Sequence, residues 1–361
     1  MIYLKVYQKY IINNFLSTVI KIFFIFFSLA FILSIFEEIS FFKDFEIGFF
    51  VPFFLTLLNV PSIIYEIFPF IFLISTQFFF IKLADRHELI AFKNFGLENT
   101  KVLKLISITT FFVGILLIAF FYNISANMKF LYFEIKNEYT KDNKYLATIT
   151  ENGLWIKDEI NGKINIINAE KIDKNKIVNV DILQFDQNFN LIQIIYANEV
   201  DITNNTWHIN KATLSKYDSL EKDIDNLKFS TNFNYEKINN LFSNLSSLNM
   251  LELRKIKKDY DAMNYSTTEI NSHIQKIFSY PLYLMIMTIL AATIMMNIKY
   301  DKPKVFHLIF GILLSVTIYY VHYFLTVLGK SEKIPVAVSI WIPLILLTII
   351  SSIGLIRINE K

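Results

Sequence analysis

The sequence predicts an integral membrane protein: an α-helical bundle of six transmembrane helices, with an all-β, jellyroll-like domain inserted between the third and the fourth. Three observations point there. Apolar runs of about 20 residues, enough to cross the hydrocarbon of a bilayer, recur along the chain. They fall in two groups of three, and the long stretch between the groups is polar and alternates like β-strands. Apolar residues make up 54% of the chain, with 37 Phe, and they are clustered rather than spread as in a soluble core.

The first span, 15–36, follows Lys5 and Lys9. It is too long for the core of a signal peptide and runs into Glu37 and Glu38 instead of a small-residue cleavage site, so it is expected to stay as an anchor. The second span covers about 63–81. An apolar stretch at 49–60 precedes it and ends at Pro61. Because proline lacks the N–H that a helix interior needs, a break or kink is expected there, with Pro69 following inside the span. Residues 49–60 read equally as an interfacial helix or as an extension of the span. The remaining spans are 102–123, 274–296, 305–328 and 334–356. The corresponding domains are 1–124, with a short helix at about 84–96, then 125–265 for the β domain and 266–361 for the last three spans.

Lys and Arg lie mostly on one side of these spans. That side holds Lys5 and Lys9, then Lys82, Arg86, Lys93, Lys101 and Lys104, then Lys299, Lys302 and Lys304, and finally Arg357 and Lys361. The short loops of the other side carry Lys43, Lys330 and Lys333. Positive charge marks the cytoplasmic side, so both termini are expected in the cytoplasm and the insert away from it.

Within the insert, strands are expected at 145–150, 154–157, 163–168, 177–185, 191–202, 207–217 and 227–233. Turn-prone pieces such as Ile160-Asn161-Gly162 and Asn204-Asn205 separate them. Strands this short and this closely spaced make a sandwich, jelly roll or barrel. A helix is expected at 248–263, with Leu248, Leu251 and Ile256 on its apolar face. Ser266-Thr267-Thr268-Glu269 then reads as a capping box ahead of the fourth span.

Several chemistries are excluded. There is no cysteine, so thiol catalysis and cysteine-ligated metals are absent. A net charge of +3 gives no basis for a nucleic-acid partner. Neither Gly162-Lys163 nor Gly329-Lys330 completes a phosphate-binding loop, and no His-Glu-x-x-His or Gly-x-Ser-x-Gly occurs. The five histidines show no ligand spacing. No cofactor and no catalytic activity of the chain itself are expected.

Polar groups in the spans are costly in hydrocarbon and so informative. Lys21 can snorkel to the headgroups, and Glu66 falls near the interface. His322 either lines a cavity or bonds a neighbouring helix. Spans three to six contain no acidic residue at mid-membrane, which argues against proton-coupled transport. The loop after span one, 37–44, mixes aromatics with charge and reads as an aromatic belt or as an entry site for an amphiphile. The connection at 83–96 reads as a short helix closed by Gly96, with Arg86 and Glu88 ahead of Leu89 and Phe92 on one side. Such a helix either rests on headgroups or docks into a partner's groove.

The run Leu83-Ala84 … Glu88-Leu89-Ile90-Ala91 … Gly96 resembles the matching stretch of the LptF/LptG permease family, the membrane subunits of the lipopolysaccharide-export ABC transporter. Further similar pieces follow in order. They are Val60-Pro61 with Tyr65-Glu66 and Pro69, Asn152-Gly153-Leu154-Trp155-Ile156-Lys157-Asp158, Ile277-Phe278 with Pro281-Leu282, and Pro335 with Trp341-Ile342-Pro343. The Gly-Leu-Trp piece and the Phe36-Glu37-Glu38-Ile39 exit of span one look more like LptG than LptF.

The resemblance implies a non-catalytic half-transporter of the bacterial inner membrane that extracts lipopolysaccharide. It would pair with an LptF-like sibling, above two copies of the ATPase LptB. Its β domain would be periplasmic and would hand lipid to LptC and the bridge beyond. Carried over residue by residue, Glu88 is the coupling carboxylate that meets a basic residue of the ATPase. Leu89 and Phe92 would pack into a groove of the ATPase, and Arg86 and Gly96 belong to the same coupling helix. Relatives often carry lysines at the outer end of span one, where this chain has Ser34 and Ser40, with Glu38 between them and Lys43 as the nearby cation. Ser34, Glu38, Lys43 and His322 are therefore the candidates for the lipid path. The alternative reading is a non-transporting scaffold that tethers an envelope assembly through the β domain.

Overall fold

The structure is a computed structural model. It describes residues 5–139 except 44 and 46, residues 154–296 except 161, 174, 217–218, 236, 239–243 and 263–264, and residues 304–359. The strand expected at 145–150, Asn152 and Gly153, and the charges of Lys299, Lys302 and Lys361 lie outside the described residues.

The helices are α1 (Val6–Phe41), α2 (Phe50–Asp85), α3 (Glu88–Asn94), α4 (Asn99–Leu116), α5 (Asn123–Glu138), α6 (Met250–Ala262), α7 (Thr268–Met296), α8 (Lys304–Lys330) and α9 (Val336–Asn359). A π-helical stretch, Leu117–Tyr122, joins α4 to α5. Among the described residues, six helices are long and apolar enough to span a membrane: α1, α2, the α4–α5 rod, α7, α8 and α9. The chain divides into two compact units, Met1–Lys129 with Thr268–Lys361, and Phe130–Thr267.

In the first unit, residues 49–60 prove to be the opening turns of the second span. The break expected at Pro61 is not seen, since α2 runs through both Pro61 and Pro69. One compensation is visible at Pro69. Having no N–H, Pro69 leaves the carbonyl of Tyr65, four residues earlier, without its helical donor, which hydrocarbon does not tolerate. The hydroxyl of Tyr280 on α7 donates to that carbonyl at 2.5 Å, and its ring stacks on the Tyr65 ring at 4.5 Å. Tyr280→Phe keeps the stack and removes the donor. It is expected to cost about 1–2 kcal/mol, read as a lower midpoint of unfolding in detergent, while Tyr320→Phe on an exposed face of α8 leaves the midpoint unchanged.

Large apolar side chains from α1, α2 and α7 fill the centre of this bundle, among them Phe15, Ile64, Phe72, Phe79, Leu284 and Met287. Small residues let backbones approach. Gly114 of α4 faces Pro281 of α7, and Gly311 of α8 leaves a notch that the Gln77 side chain of α2 occupies. Gln77 is fully buried, and its Nε2 donates to the His307 carbonyl at 3.0 Å.

The second unit is the β domain that the alternation predicts. Its described strands are β1 (Leu154–Ile160), β2 (Lys163–Asp173), β3 (Lys176–Phe185), β4 (Leu191–Asp201), β5 (Thr206–Lys216) and β6 (Ser219–Ser230). They form one antiparallel sheet in chain order, each strand paired with its sequence neighbour. Gly162, at φ +71°, makes the predicted β1–β2 turn. Along β1, Leu154, Ile156 and Asp158 point inward while Trp155 and Lys157 point out. The buried face holds Ile167, Ile182, Ile195 and Trp207, whose indole N–H donates to the Phe233 carbonyl at 2.9 Å. The apolar face expected for α6 needs correction: Leu253 and Ile256 are buried and Leu251 is exposed. The helix starts at Met250, so Leu253 and Ile256, three residues apart, share a side that Leu251 does not.

Candidate functional site

Two places in the membrane unit gather polar chemistry. The first is the corner between α2 and α4, where the chain leaves the bundle through α3. The chain turns at His87, which takes φ +56° as the N-cap of α3. At the other end, the Leu97 N–H bonds the Phe92 carbonyl at 2.9 Å and the Gly96 N–H bonds the Lys93 carbonyl at 3.0 Å. With Gly96 at φ +74°, this is a Schellman ending, as the sequence indicates for that position.

Glu88 opens the helix. Its carboxylate accepts from the Tyr10 hydroxyl of α1, at 2.9 Å and 3.0 Å to its two oxygens, and Arg86 stands 3.7 Å away. An ion pair between Asp85 and Lys304 ties the end of α2 to the start of α8, and Lys82 donates to Asn14 of α1 at 3.2 Å.

The corner's apolar groups divide differently from the expectation. Leu89 and Phe92 are half-buried against the chain's own core. Leu89 also borders a cavity of about 250 Å³ that Phe80, Met295 and Lys304 share. The exposed apolar groups are Ile90 and, at 85% exposure, Phe95. Positions 89, 92 and 95 share a spacing of three, but α3 ends at Asn94, and Phe95 turns outward as the C-cap. A capping glycine one residue later was the sequence signal for that turn.

The second place lies at the opposite ends of the spans. There the Tyr122 hydroxyl sits 3.0 Å from His273 Nε2, just after the π-helical stretch. Lys129 donates to Ser62 at 2.9 Å, and the Glu66 carboxylate interacts electrostatically with both Lys129 and Lys276. Lys330 pairs with Glu269 at 2.7 Å. His322 is buried and stacks on Tyr283 at 5.3 Å. Its Nδ1 has no partner among the described residues. Ser34 and Glu38 are buried on one face of α1, whereas Lys43 is exposed. Lys129 and Lys276 are cations of this region that sequence reasoning did not single out, whereas Lys330 was read as part of a short loop. Lys276 was open to detection, lying two residues inside the predicted fourth span.

The family model for the lipopolysaccharide export system permease LptF/LptG matches residues 9–357, nearly the whole chain. The chain belongs to the LptF/LptG family. No curated protein matches it. The family match agrees with the architecture of this chain, six candidate membrane helices with an antiparallel β domain inserted between the third and the fourth. It covers LptF and LptG alike, and as a family of lipopolysaccharide-export permeases it makes this chain a membrane subunit rather than a catalyst.

Proposed function

We propose that this chain is the LptG-like half of an ABC transporter that extracts lipopolysaccharide from the inner membrane. It pairs with an LptF-like sibling, two copies of the cytoplasmic ATPase LptB drive it, and its β domain passes lipid to LptC and the periplasmic bridge. The observation that supports this best is the corner at α3. A capped seven-residue helix presents a carboxylate at its first position and an exposed phenylalanine at its end, beside a membrane bundle. A separate nucleotide-hydrolysing chain fits such a feature, because this chain has no phosphate loop of its own.

Orientation follows from the Lys/Arg asymmetry, which puts α3 in the cytoplasm and the β domain in the periplasm. Lys129, Lys276 and Lys330 then lie toward the periplasm and supply the positive charge that the outer end of span one lacks, suited to the phosphates of a lipid headgroup. The Phe-rich spans suit acyl chains.

Glu88→Ala tests the reading. A partly desolvated charge pair at the ATPase contact is worth on the order of 1–3 kcal/mol. In a complex purified with its sibling and ATPase, the substitution is expected to weaken ATPase association or to uncouple hydrolysis from lipid release. Wild-type association together with wild-type release would remove the assignment.

A further inference from the structure

We propose that Tyr10 is the positioning residue that joins the coupling helix α3 to the first span, so that force applied at Glu88 reaches α1. The inference rests on the reading of α3 as the ATPase contact. No residue of α3 is fully buried, and its C-terminal ending is closed by its own backbone. Leu89 and Phe92 hold one side of it by half-buried packing. Among the described residues, the side-chain hydrogen bond from Tyr10 to Glu88 is the one that links α3 to another helix.

The position of that bond matters. Tyr10 and Asn14 are four residues apart on α1 and so share a face. Asn14 takes Lys82 near the end of α2, and Tyr10 takes Glu88 at the start of α3. One face of α1 therefore grips the chain on both sides of the turn at Arg86 and His87. That turn is held in the left-handed region by a non-glycine residue, a conformation that surrounding contacts must maintain.

Tyr10 and a partner cation do not compete for Glu88. An ionised carboxylate has roughly four acceptor positions, and the single phenolic proton is shared between the two oxygens. With 19% of its side chain exposed, Glu88 can accept from a cation outside while Tyr10 donates from α1. The chain of contacts runs from the partner's cation to Glu88, to Tyr10 and into the first span. Arg86 is a poor substitute, being 3.7 Å from the carboxylate and largely exposed.

The test uses the full chain co-purified with its sibling permease and ATPase in nanodiscs loaded with bacterial lipopolysaccharide. ATP turnover, ATPase stoichiometry and lipopolysaccharide released to a soluble acceptor are measured together. Tyr10→Phe is expected to leave stoichiometry and turnover near wild type and to lower lipid released per ATP by roughly three- to tenfold. In a Glu88→Ala background, where no carboxylate remains to hold, adding Tyr10→Phe is expected to change nothing further. A wild-type ratio of lipid to ATP in Tyr10→Phe overturns the proposal. So does the same loss on adding Tyr10→Phe to Glu88→Ala, since Tyr10 would then act without Glu88. A Glu88→Ala complex with wild-type association and release would overturn the coupling reading itself, and this inference with it.

Discussion

Phe95→Asp is expected to weaken association with the ATPase on the order of tenfold to a hundredfold while leaving the folded permease intact. Phe95 is the most exposed aromatic of the α3 corner, and the chain's own core makes no use of its ring. On the proposed reading it enters a groove of the partner, and aromatic anchors of this kind hold a large share of an interface's energy. Aspartate removes the anchor and brings a carboxylate that the groove must desolvate without a partner. Leu89→Asp should act on the fold as well. Because Leu89 packs on the transmembrane core beside Phe80, its replacement is expected to lower the unfolding midpoint as well as association. Titrating labelled ATPase onto the permease in nanodiscs, with unfolding followed in parallel, separates the two effects. Undiminished affinity in Phe95→Asp would assign that ring to lipid headgroups.

How much of this was legible in the sequence depended on how far apart the interacting residues lie. The six spans, the β insert and the left-handed Gly96 are written in local patterns: apolar run length, alternation, and a capping glycine after a short helix. The continuity of α2 was not local. Its prolines announce a break, and the hydroxyl that takes the freed Tyr65 carbonyl comes from Tyr280, 215 residues away from Tyr65. The link between Tyr10 and Glu88 crosses 78 positions, with nothing in either neighbourhood to signal it. At α3, the spacing of Leu89 and Phe92 correctly marked one apolar side. It could not show that this side faces the chain's own bundle, because that depends on where α2 ends and how the chain turns at His87. The charge pattern placed Lys330 in a short loop, but its partner Glu269 lies 61 residues away, at the start of the preceding helix.

Gly114→Val is expected to be among the most destabilising single changes in the membrane unit. A Cβ at Gly114 would lie 2.8 Å from the Pro281 Cα and 3.0 Å from its Cβ, with a Leu284 methyl at 3.4 Å. The first of these is backbone and cannot rotate aside, so α4 and α7 must separate to admit any side chain. In a membrane such helices are held by close packing rather than by expulsion of water, so separation costs contacts along the seam. One added carbon, in Gly114→Ala, is expected to cost about 1–3 kcal/mol, and the branched valine more. The seam also positions the polar cluster at Tyr122 and His273, because His273 and Tyr280 sit on the same α7 helix and Tyr122 continues the α4 rod. Gly48 provides the matched control, since a Cβ there meets nothing within 4 Å. Unfolding midpoints in detergent should fall in the order wild type, Gly114→Ala, Gly114→Val, with Gly48→Ala at the wild-type value. A Gly114→Val midpoint equal to that of Gly48→Ala would mean that the approach of α4 to α7 does not limit the packing of this bundle.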